Sequence, residues 1–330
     1  MRRHDITIDV SEAVGLGRPQ HVTGTAYLPD RLAPFRPIIL FASPGGGYSR
    51  FYFDMHFPGH TGYSEAEYHT GRGLIFVTMD HLGVGDSSID LTDDLRVEHM
   101  ADANHAFMRT IVQQLGEGIL AADFPAIVDP FILGMGQSMG AGVTMVMQGR
   151  HGCFHAIAPL GISAYHTCLP QPSPEQFKAA RDAFSFSRLT PLDQLQIAAT
   201  SQHVPDFRYP FHWEDEPREI QDQDMEGGYP LRRTSPKFGS MTVPRCAVAM
   251  MSPGYFTPEV SRITCPVLMG YGERDTSADM RREATAFFNS NDVSVFIVPR
   301  MAHMHNFAGT RQVLWQRIAD WAEMQSKART

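Results

Sequence analysis

Residues 131–147 read FILGMGQSMGAGVTMVM, an apolar run followed by a Gly-x-Ser-x-Gly motif and a second, helix-like apolar stretch. The motif occupies residues 136–140, with Ser138 at its centre. A strand that turns sharply into a helix forces the central residue into a strained backbone conformation that only small flanking residues tolerate. The serine hydroxyl is then exposed at the carboxyl end of the strand, with a helix N-terminus directly behind it. This context predicts that Ser138 is a nucleophile.

Further short apolar runs lie on both sides of this stretch and predict a mostly parallel sheet. Runs of this kind, separated by helical stretches, are typical of strands that are buried on both faces. They lie at 38–42, 74–79, 131–133, 156–160, 267–269 and 293–298. Alternating polar and apolar residues predict two antiparallel strands before them, at 5–10 and 22–28. Helices are expected at 97–115, 279–288 and 310–324. Strands that alternate with helices imply a doubly wound α/β fold.

One long segment, residues 165–258, breaks this alternation. It contains 12 of the chain's 23 prolines and has no regular strand period, although 175–186 is a candidate helix. Insertions of this length between sheet elements tend to form lids or caps over an active site. The sequence therefore predicts a core built from residues 1–164 and 259–330, with residues 165–258 inserted as a cap.

A serine nucleophile needs a base, and the base needs an acid that orients it. In an open parallel sheet, all three residues are expected at the carboxyl ends of strands. Asp275 follows the apolar run at 267–269 and a turn that contains glycine, and His303 follows the run at 293–298. The chain order of serine, aspartate and histidine is the one expected of a nucleophile elbow. We therefore predict that Asp275 is the acid and His303 the base.

Other residues near these positions compete for the same roles. Glu273 and Asp279 are the alternative acids, and Asp275 has the alternative role of capping a helix near Asp279. His305 competes with His303, but residues 298–303 resemble the strand-loop-histidine pattern of α/β-hydrolases, and this resemblance favours His303 as the base. His305 is predicted to be a pocket-wall or surface residue. The His-x-His pair also resembles part of a metal site, but no nearby carboxylate or cysteine completes one, so no metal is expected.

These motifs together resemble the α/β-hydrolase fold superfamily, and the resemblance covers nearly the whole chain outside the insertion. It is carried by the elbow at 136–140, the Gly-x-x-Asp turn at 272–275 and the histidine after the last strand. The turn DHLGVGDS at 80–87 is similar to the family's Asp-x-Arg-Gly-x-Gly-x-Ser element. His81 and Leu82 stand where the family usually has other residues, but both turn glycines remain. The resemblance implies an α/β-hydrolase fold with a mostly parallel, doubly wound sheet.

The resemblance also implies an oxyanion hole, formed by two backbone N–H groups that point at the developing negative charge. One N–H is expected from Met139, directly after the nucleophile. The other is expected from the loop SPGGGY at 43–48, which is similar to the His-Gly-x loops of the family. Gly46 is the first choice in this loop, with Gly45 and Gly47 as alternatives.

The predicted function is hydrolysis of a carboxylic ester, a lactone or a thioester through an acyl-enzyme. Two alternatives use the same three residues, namely hydrolysis of a C–C bond and acyl transfer to an acceptor other than water. A third alternative is a non-catalytic ligand-binding protein on the hydrolase scaffold. Relatives that act on epoxides or haloalkanes use aspartate as the nucleophile, so Ser138 argues against those reactions.

Aromatic residues suggest the character of the ligand. Tyr48 follows the predicted oxyanion loop, where it is either part of the acyl pocket or a packing residue. Phe211 and Trp213 lie in the insertion and indicate an apolar or aromatic small-molecule substrate. We therefore predict Tyr48, Phe211 and Trp213 as substrate-binding residues.

Composition excludes several other classes of function. The chain has 330 residues, of which 43% are hydrophobic, so it can bury a large core. A formal net charge of −8 argues against nucleic acid and against an anionic membrane surface as partners. No apolar run is long enough to cross a bilayer. The glycine run lacks the Gly-Lys-Ser/Thr of a phosphate loop, which argues against nucleotide binding, and no cofactor is expected. The four widely spaced cysteines and the lack of a signal-like apolar block favour a cytoplasmic protein. The oligomeric state is left open.

Overall fold

The computed structural model describes residues 1–89, 92–194, 207–229 and 232–328. The strands in these ranges are β1 Arg2–Asp9, β2 His21–Leu28, β3 Ile38–Ser43, β4 Ile75–Met79, β5 Phe131–Gln137, β6 Ala156–Leu160, β7 Val267–Gly272 and β8 Val293–Val298. They form one sheet in the order β1-β2-β4-β3-β5-β6-β7-β8.

The sheet is mostly parallel, as predicted. β2 pairs antiparallel with both β1 and β4, and every pair from β4 across to β8 is parallel. Each predicted strand is present, although the run predicted at 131–133 continues as strand to Gln137, directly before Ser138. Because parallel strands point the same way, the loops after β3, β5, β7 and β8 all leave the same edge of the sheet.

Helices cover both faces of the sheet. The α-helices of the described residues are α1 Ser11–Val14, α2 Glu65–Gly71, α3 Val97–Glu117, α4 Met139–His151, α5 Pro174–Ala183, α6 Arg208–Phe211, α7 Arg218–Met225, α8 Thr257–Val260 and α9 Arg311–Lys327. Short 3₁₀ helices occupy Arg50–Phe53, Arg245–Met251, Arg282–Ala286 and His305–Phe307. The predicted helices at 97–115 and 310–324 are therefore present with slightly different ends.

The helix predicted at 279–288 is wrong in type and extent, since only Arg282–Ala286 forms and it is a 3₁₀ helix. Its conformation is set by tertiary contacts rather than by an amphipathic pattern. The buried carboxylate of Glu283 accepts hydrogen bonds from Ser163 Oγ at 2.6 Å and from the backbone N–H of Ala164 at 2.9 Å. These bonds turn the first residues of the segment inward.

The core consists of two apolar layers, one on each face of the sheet. Alternate residues of β3 enter opposite layers, because successive side chains of a strand point to opposite faces. Phe41 packs in the layer that contains Phe107 of α3 and Val143 of α4. Leu40 packs in the layer that contains Trp321 of α9. Among the described residues, no helix combines the length and the hydropathy needed to cross a bilayer.

The insertion lies between β6 and β7, which are neighbours in the sheet. Its described parts contain α5, α6, α7 and the 3₁₀ helix Arg245–Met251. Arg188 of the insertion donates to Glu98 of α3 at 2.5 Å and to Glu259 of α8 at 2.8 Å. These ion pairs fasten the insertion to the helical layer beside it.

A buried ionic network fastens the insertion to the loop after β3. His212 lies between Glu216 (Nδ1 to Oε2, 2.6 Å) and Asp224 (Nε2 to Oδ2, 2.9 Å). Asp224 also accepts a hydrogen bond from the Tyr48 hydroxyl at 2.8 Å and pairs with Arg232 at 3.0 Å. Burial would lower the pKa of His212, but its hydrogen bonds to the two carboxylates raise that pKa to about 9. His212 is therefore a buried cation at neutral pH.

Candidate active site

Ser138 lies in the turn between β5 and α4, and its backbone is strained. Its φ of 53° and ψ of −117° fall in a region that non-glycine residues rarely adopt. The flanking glycines are required by close packing. A Cβ on Gly136 would lie 2.3 Å from the backbone of Gly140, and one on Gly140 would lie 2.0 Å from the carbonyl oxygen of Ser43. The sharp turn from strand to helix that the motif predicts is present.

The three residues predicted as a triad lie within hydrogen-bonding distance of one another. His303 Nε2 is 2.9 Å from Ser138 Oγ, and His303 Nδ1 is 2.7 Å from Asp275 Oδ1. Asp275 follows β7 and His303 follows β8, so all three side chains meet at the carboxyl edge of the sheet. When Nδ1–H donates to the carboxylate, Nε2 is left free to accept the serine proton.

The alternative acids have other roles in the structure. Glu273 accepts a hydrogen bond from the backbone N–H of Arg300 at 2.9 Å. Asp279 accepts one from the backbone N–H of Arg282, at the start of the 3₁₀ helix. Neither carboxylate has a hydrogen bond to His303 among the described residues.

His305 is not the pocket-wall or surface residue that the sequence predicts. It is 1% exposed, and its Nε2 lies 2.7 Å from the second carboxylate oxygen of Asp275. The backbone N–H groups of Gly272 and Thr276 donate to the same carboxylate at 2.9 and 2.8 Å. Burial would raise the pKa of Asp275, but His305 and His303 hold it well below its usual range. Asp275 is therefore ionised and fixed by four donors.

The tautomer of His305 follows from its surroundings. Its Nδ1 is buried and has no hydrogen-bond partner in the described part of the chain, whereas Nε2 faces a carboxylate. A proton on Nε2 satisfies this arrangement, because it is donated to the carboxylate. The contact forms because a 3₁₀ helix begins at His305 and turns this second ring back toward Asp275.

The backbone that carries His303 is also held on both sides. Gln137, the residue before the nucleophile, donates from Nε2 to the carbonyl oxygen of His303 at 2.8 Å. The N–H groups of His303 and Met304 donate to the carbonyl oxygens of Pro210 and Phe211 in the insertion, each at 3.0 Å. The histidine loop is thus fixed by one core residue and by the insertion.

Gly46 and Met139, the predicted oxyanion donors, lie next to each other beside Ser138. A Cβ on Gly46 would be 3.9 Å from the Cβ of Met139, and both residues line the same cavity as Ser138. Within the described ranges, neither backbone N–H has a hydrogen-bond acceptor. This geometry is suited to binding an oxyanion.

His81, one of the two departures from the family turn, supports the same loop. Its Nδ1 accepts a hydrogen bond from Asn104 Nδ2 at 3.0 Å, so its Nε2–H donates to the carbonyl oxygen of Pro44 at 3.1 Å. Burial lowers the pKa of His81 to about 4, so the ring is neutral at physiological pH. His81 is thus a neutral donor to the loop that contains Gly46.

A cavity of about 350 Å³ opens at Ser138, His303 and Gly46. Most of its walls are apolar side chains, and many come from the insertion. Ile162 comes from the core, and Leu169, Phe184, Phe207, Val243 and Met250 come from the insertion. Among the described residues that line the wall, Arg245 carries the one guanidinium, and it is paired with Asp93 at 2.5 Å.

Of the three residues predicted to bind substrate, Phe211 lines the cavity. Tyr48 does not, because its fully buried ring packs in the core and its hydroxyl is bonded to Asp224. Trp213 does not line it either, since its ring stacks on the guanidinium of Arg274, 4.7 Å from the ring centre. Within the described residues, no group of three or more histidine, cysteine or acidic side chains is arranged to bind a metal ion.

Comparison with known proteins gives matches at the level of structure. No family model and no curated protein sequence matches the chain. An esterase of Thermogutta terrifontis superposes with a TM-score of 0.63 at 13% identity, covering 99% of this chain and 100% of the esterase. A proline iminopeptidase of Mycobacterium smegmatis gives 0.62 at 16% identity, with 99% and 100% covered. A haloalkane dehalogenase variant of Bradyrhizobium elkanii gives 0.62 at 11% identity, with 99% and 98% covered. These likenesses cover 99% of this chain and, with the sheet order, show that the chain has the α/β-hydrolase fold that the sequence predicts.

Proposed function

We propose that this protein is a serine hydrolase that cleaves a carboxylic ester, a lactone or a thioester. The observation that carries the proposal is the hydrogen-bonded chain from Ser138 Oγ through His303 to Asp275, at 2.9 and 2.7 Å. Three residues separated by up to 165 positions in sequence meet in the order that nucleophilic catalysis needs. The unbonded N–H groups of Gly46 and Met139 beside them supply the second requirement, stabilisation of negative charge.

The chemistry proceeds in two halves. Ser138 Oγ attacks the substrate carbonyl while its proton passes to His303 Nε2, and the oxyanion binds to the N–H groups of Gly46 and Met139. The tetrahedral intermediate then collapses, and His303 returns the proton to the leaving group, which leaves an acyl-enzyme. In the second half, His303 takes a proton from water, which attacks the carbonyl of the acyl-enzyme. The second tetrahedral intermediate collapses, His303 returns the proton to Ser138 Oγ, and the acid is released. Asp275 holds the ring and stabilises its cationic form.

The cavity favours a substrate that is largely apolar and uncharged near the reacting carbonyl. Its walls are aliphatic, aromatic and methionine side chains, and burial of such a surface against an apolar group is favourable. The guanidinium of Arg245 is already paired with Asp93. We propose that the insertion, which supplies much of this wall, acts as a cap that shields the apolar part of the bound substrate from bulk solvent.

The test uses p-nitrophenyl esters of short and medium acyl chains, together with a fluorophosphonate probe. Ser138→Ala is expected to abolish turnover and labelling and to leave the thermal midpoint close to that of the wild type. Ser185→Ala, which changes an exposed serine, is the matched control and is expected to behave like the wild type. Labelling that survives in Ser138→Ala, or a wild-type protein that neither turns over nor reacts, would refute the proposal and favour a ligand-binding protein.

A further inference from the structure

The loop that carries the oxyanion glycines has an unusual pattern of hydrogen bonds. Each of four successive carbonyl oxygens, from Pro44 to Gly47, accepts a bond from a different donor. The donors are His81 Nε2 at 3.1 Å, the N–H of Tyr48 at 3.2 Å, the Tyr229 hydroxyl at 2.8 Å and the N–H of Ser240 at 2.9 Å. In the described residues the N–H groups of Gly45, Gly46 and Gly47 have no acceptor. The carbonyl groups of the loop are thus held by hydrogen bonds, whereas the amides of its three glycines remain available to a ligand.

Residues 45–48 form a β-turn whose central peptide joins Gly46 to Gly47. The N–H of Tyr48 bonds the carbonyl of Gly45, and Gly47 has a φ of +81°, which identifies a type II turn. Type I and type II turns differ in the orientation of this central peptide. A flip between them exchanges the sides occupied by the Gly46 carbonyl and the Gly47 amide. Because both central residues are glycine, their own steric limits do not select one form.

Contacts of Tyr229 favour the type II form of this turn. Its hydroxyl donates to the Gly46 carbonyl, the group that would have to move in a flip. Its ring lies against Gly47, where an added Cβ would be 2.6 Å from Tyr229 Cε2. Phe207 and Phe211 contact the same ring, with centroids 4.9 and 4.7 Å away. The hydroxyl is therefore held at a fixed point by packing within the insertion.

We propose that Tyr229 is a positioning residue for the oxyanion hole, so that the insertion completes the catalytic loop as well as covering the cavity. Its hydroxyl holds the Gly46 carbonyl away from the amides that bind the oxyanion. The inference rests on the proposed hydrolase function. It goes beyond that function in assigning part of the transition-state geometry to a residue that lies 183 positions from Gly46 in the chain.

The test is Tyr229→Phe, which removes one hydroxyl and keeps the ring. Deletion of an oxyanion donor itself lowers kcat by roughly a hundredfold or more. Loss of the group that holds the Gly46 carbonyl away from the oxyanion hole is expected to lower kcat about tenfold, with KM within about twofold of wild type. Inactivation by the fluorophosphonate is expected to slow by a similar factor, because the phosphonyl oxygen occupies the same hole.

Tyr165→Phe is the matched control. It also removes a tyrosine hydroxyl that bonds the insertion to the core, here to Thr285 Oγ1 at 2.7 Å, and it is expected to retain the wild-type kcat. If Tyr229→Phe does not fold, Gly47→Ala provides the second variant, since its Cβ displaces the Tyr229 ring and disfavours φ > 0. A wild-type kcat in the folded variant, or a change confined to KM, would overturn the proposal. Ser138→Ala that stays active would instead overturn the proposed function, so the two failures are distinguishable.

Discussion

Replacement of His212 by glutamine tests whether the buried cation stabilises the fold. The pKa of this imidazole rises from an ordinary 6.5 to about 9, because its bonds to Asp224 and Glu216 outweigh the effect of burial. One pKa unit corresponds to about 1.4 kcal/mol, so retention of the proton contributes about 3 kcal/mol to the free energy of unfolding. His212→Gln is expected to lower that free energy by about this amount near pH 6.

The sign of the pH dependence follows from the raised pKa. Below 6.5 the imidazole is protonated in both the folded and the unfolded chain, and the full contribution is present. As the pH rises from 6.5 to about 9, the unfolded chain loses the proton while the folded chain keeps it, so the contribution falls. Above that range both states are neutral. The difference between His212→Gln and the wild type is therefore expected to disappear at high pH.

Urea unfolding at several pH values between about 6 and about 10 measures this difference. His60→Gln is the matched control, since it removes a histidine that also bonds an insertion glutamate, Glu219, but at the surface. Exposed ion pairs contribute little, so this variant is expected to follow the wild-type profile. A constant difference between His212→Gln and wild type over the whole pH range would refute the ionic argument and leave only a packing role.

Asp275→Asn is expected to lower kcat by about 10⁴-fold, because the amide donates where a carboxylate must accept and so selects the wrong tautomer of His303. Steady-state ester hydrolysis measures the loss, and a near-normal kcat would point to another acid. His305→Leu is expected to lower kcat about tenfold, since it removes one of the two donors to Oδ2 of the Asp275 carboxylate. His305→Gln, which keeps an N–H donor, is expected to recover part of that loss, whereas equal kinetics of both variants and wild type would show that the contact is dispensable.

The sequence predicts those parts of the fold and site that depend on local sterics and on periodicity. The roles of the glycines at 136 and 140 can be predicted from sequence because a strand–helix turn of this kind leaves no room for a Cβ at either position. Short apolar runs reveal buried parallel strands, and the residues at their carboxyl ends converge for topological reasons. The sequence alone therefore predicts Ser138, Asp275 and His303 as the catalytic residues.

The sequence fails where a contact depends on a partner far along an irregular segment. The position of Tyr48 after the glycine loop predicts a substrate-binding residue, but its hydroxyl bonds to Asp224, 176 residues away, and its ring is buried in the core. Tyr229 carries no periodic or motif signal, because the insertion around it has no regular pattern. The inward turn of His305 likewise depends on a short 3₁₀ helix whose start the sequence does not mark.

The two backbone bonds from residues 303 and 304 to residues 210 and 211 have a consequence for engineering. An exchange of residues 165–258 for the corresponding segment of another hydrolase would also replace the carbonyls that hold the proton-transferring loop. An exchange of the insertion is therefore expected to change both the substrate range and the turnover rate. Redesign is best confined to side chains such as Val243 or Met250, which face the cavity without supporting that loop.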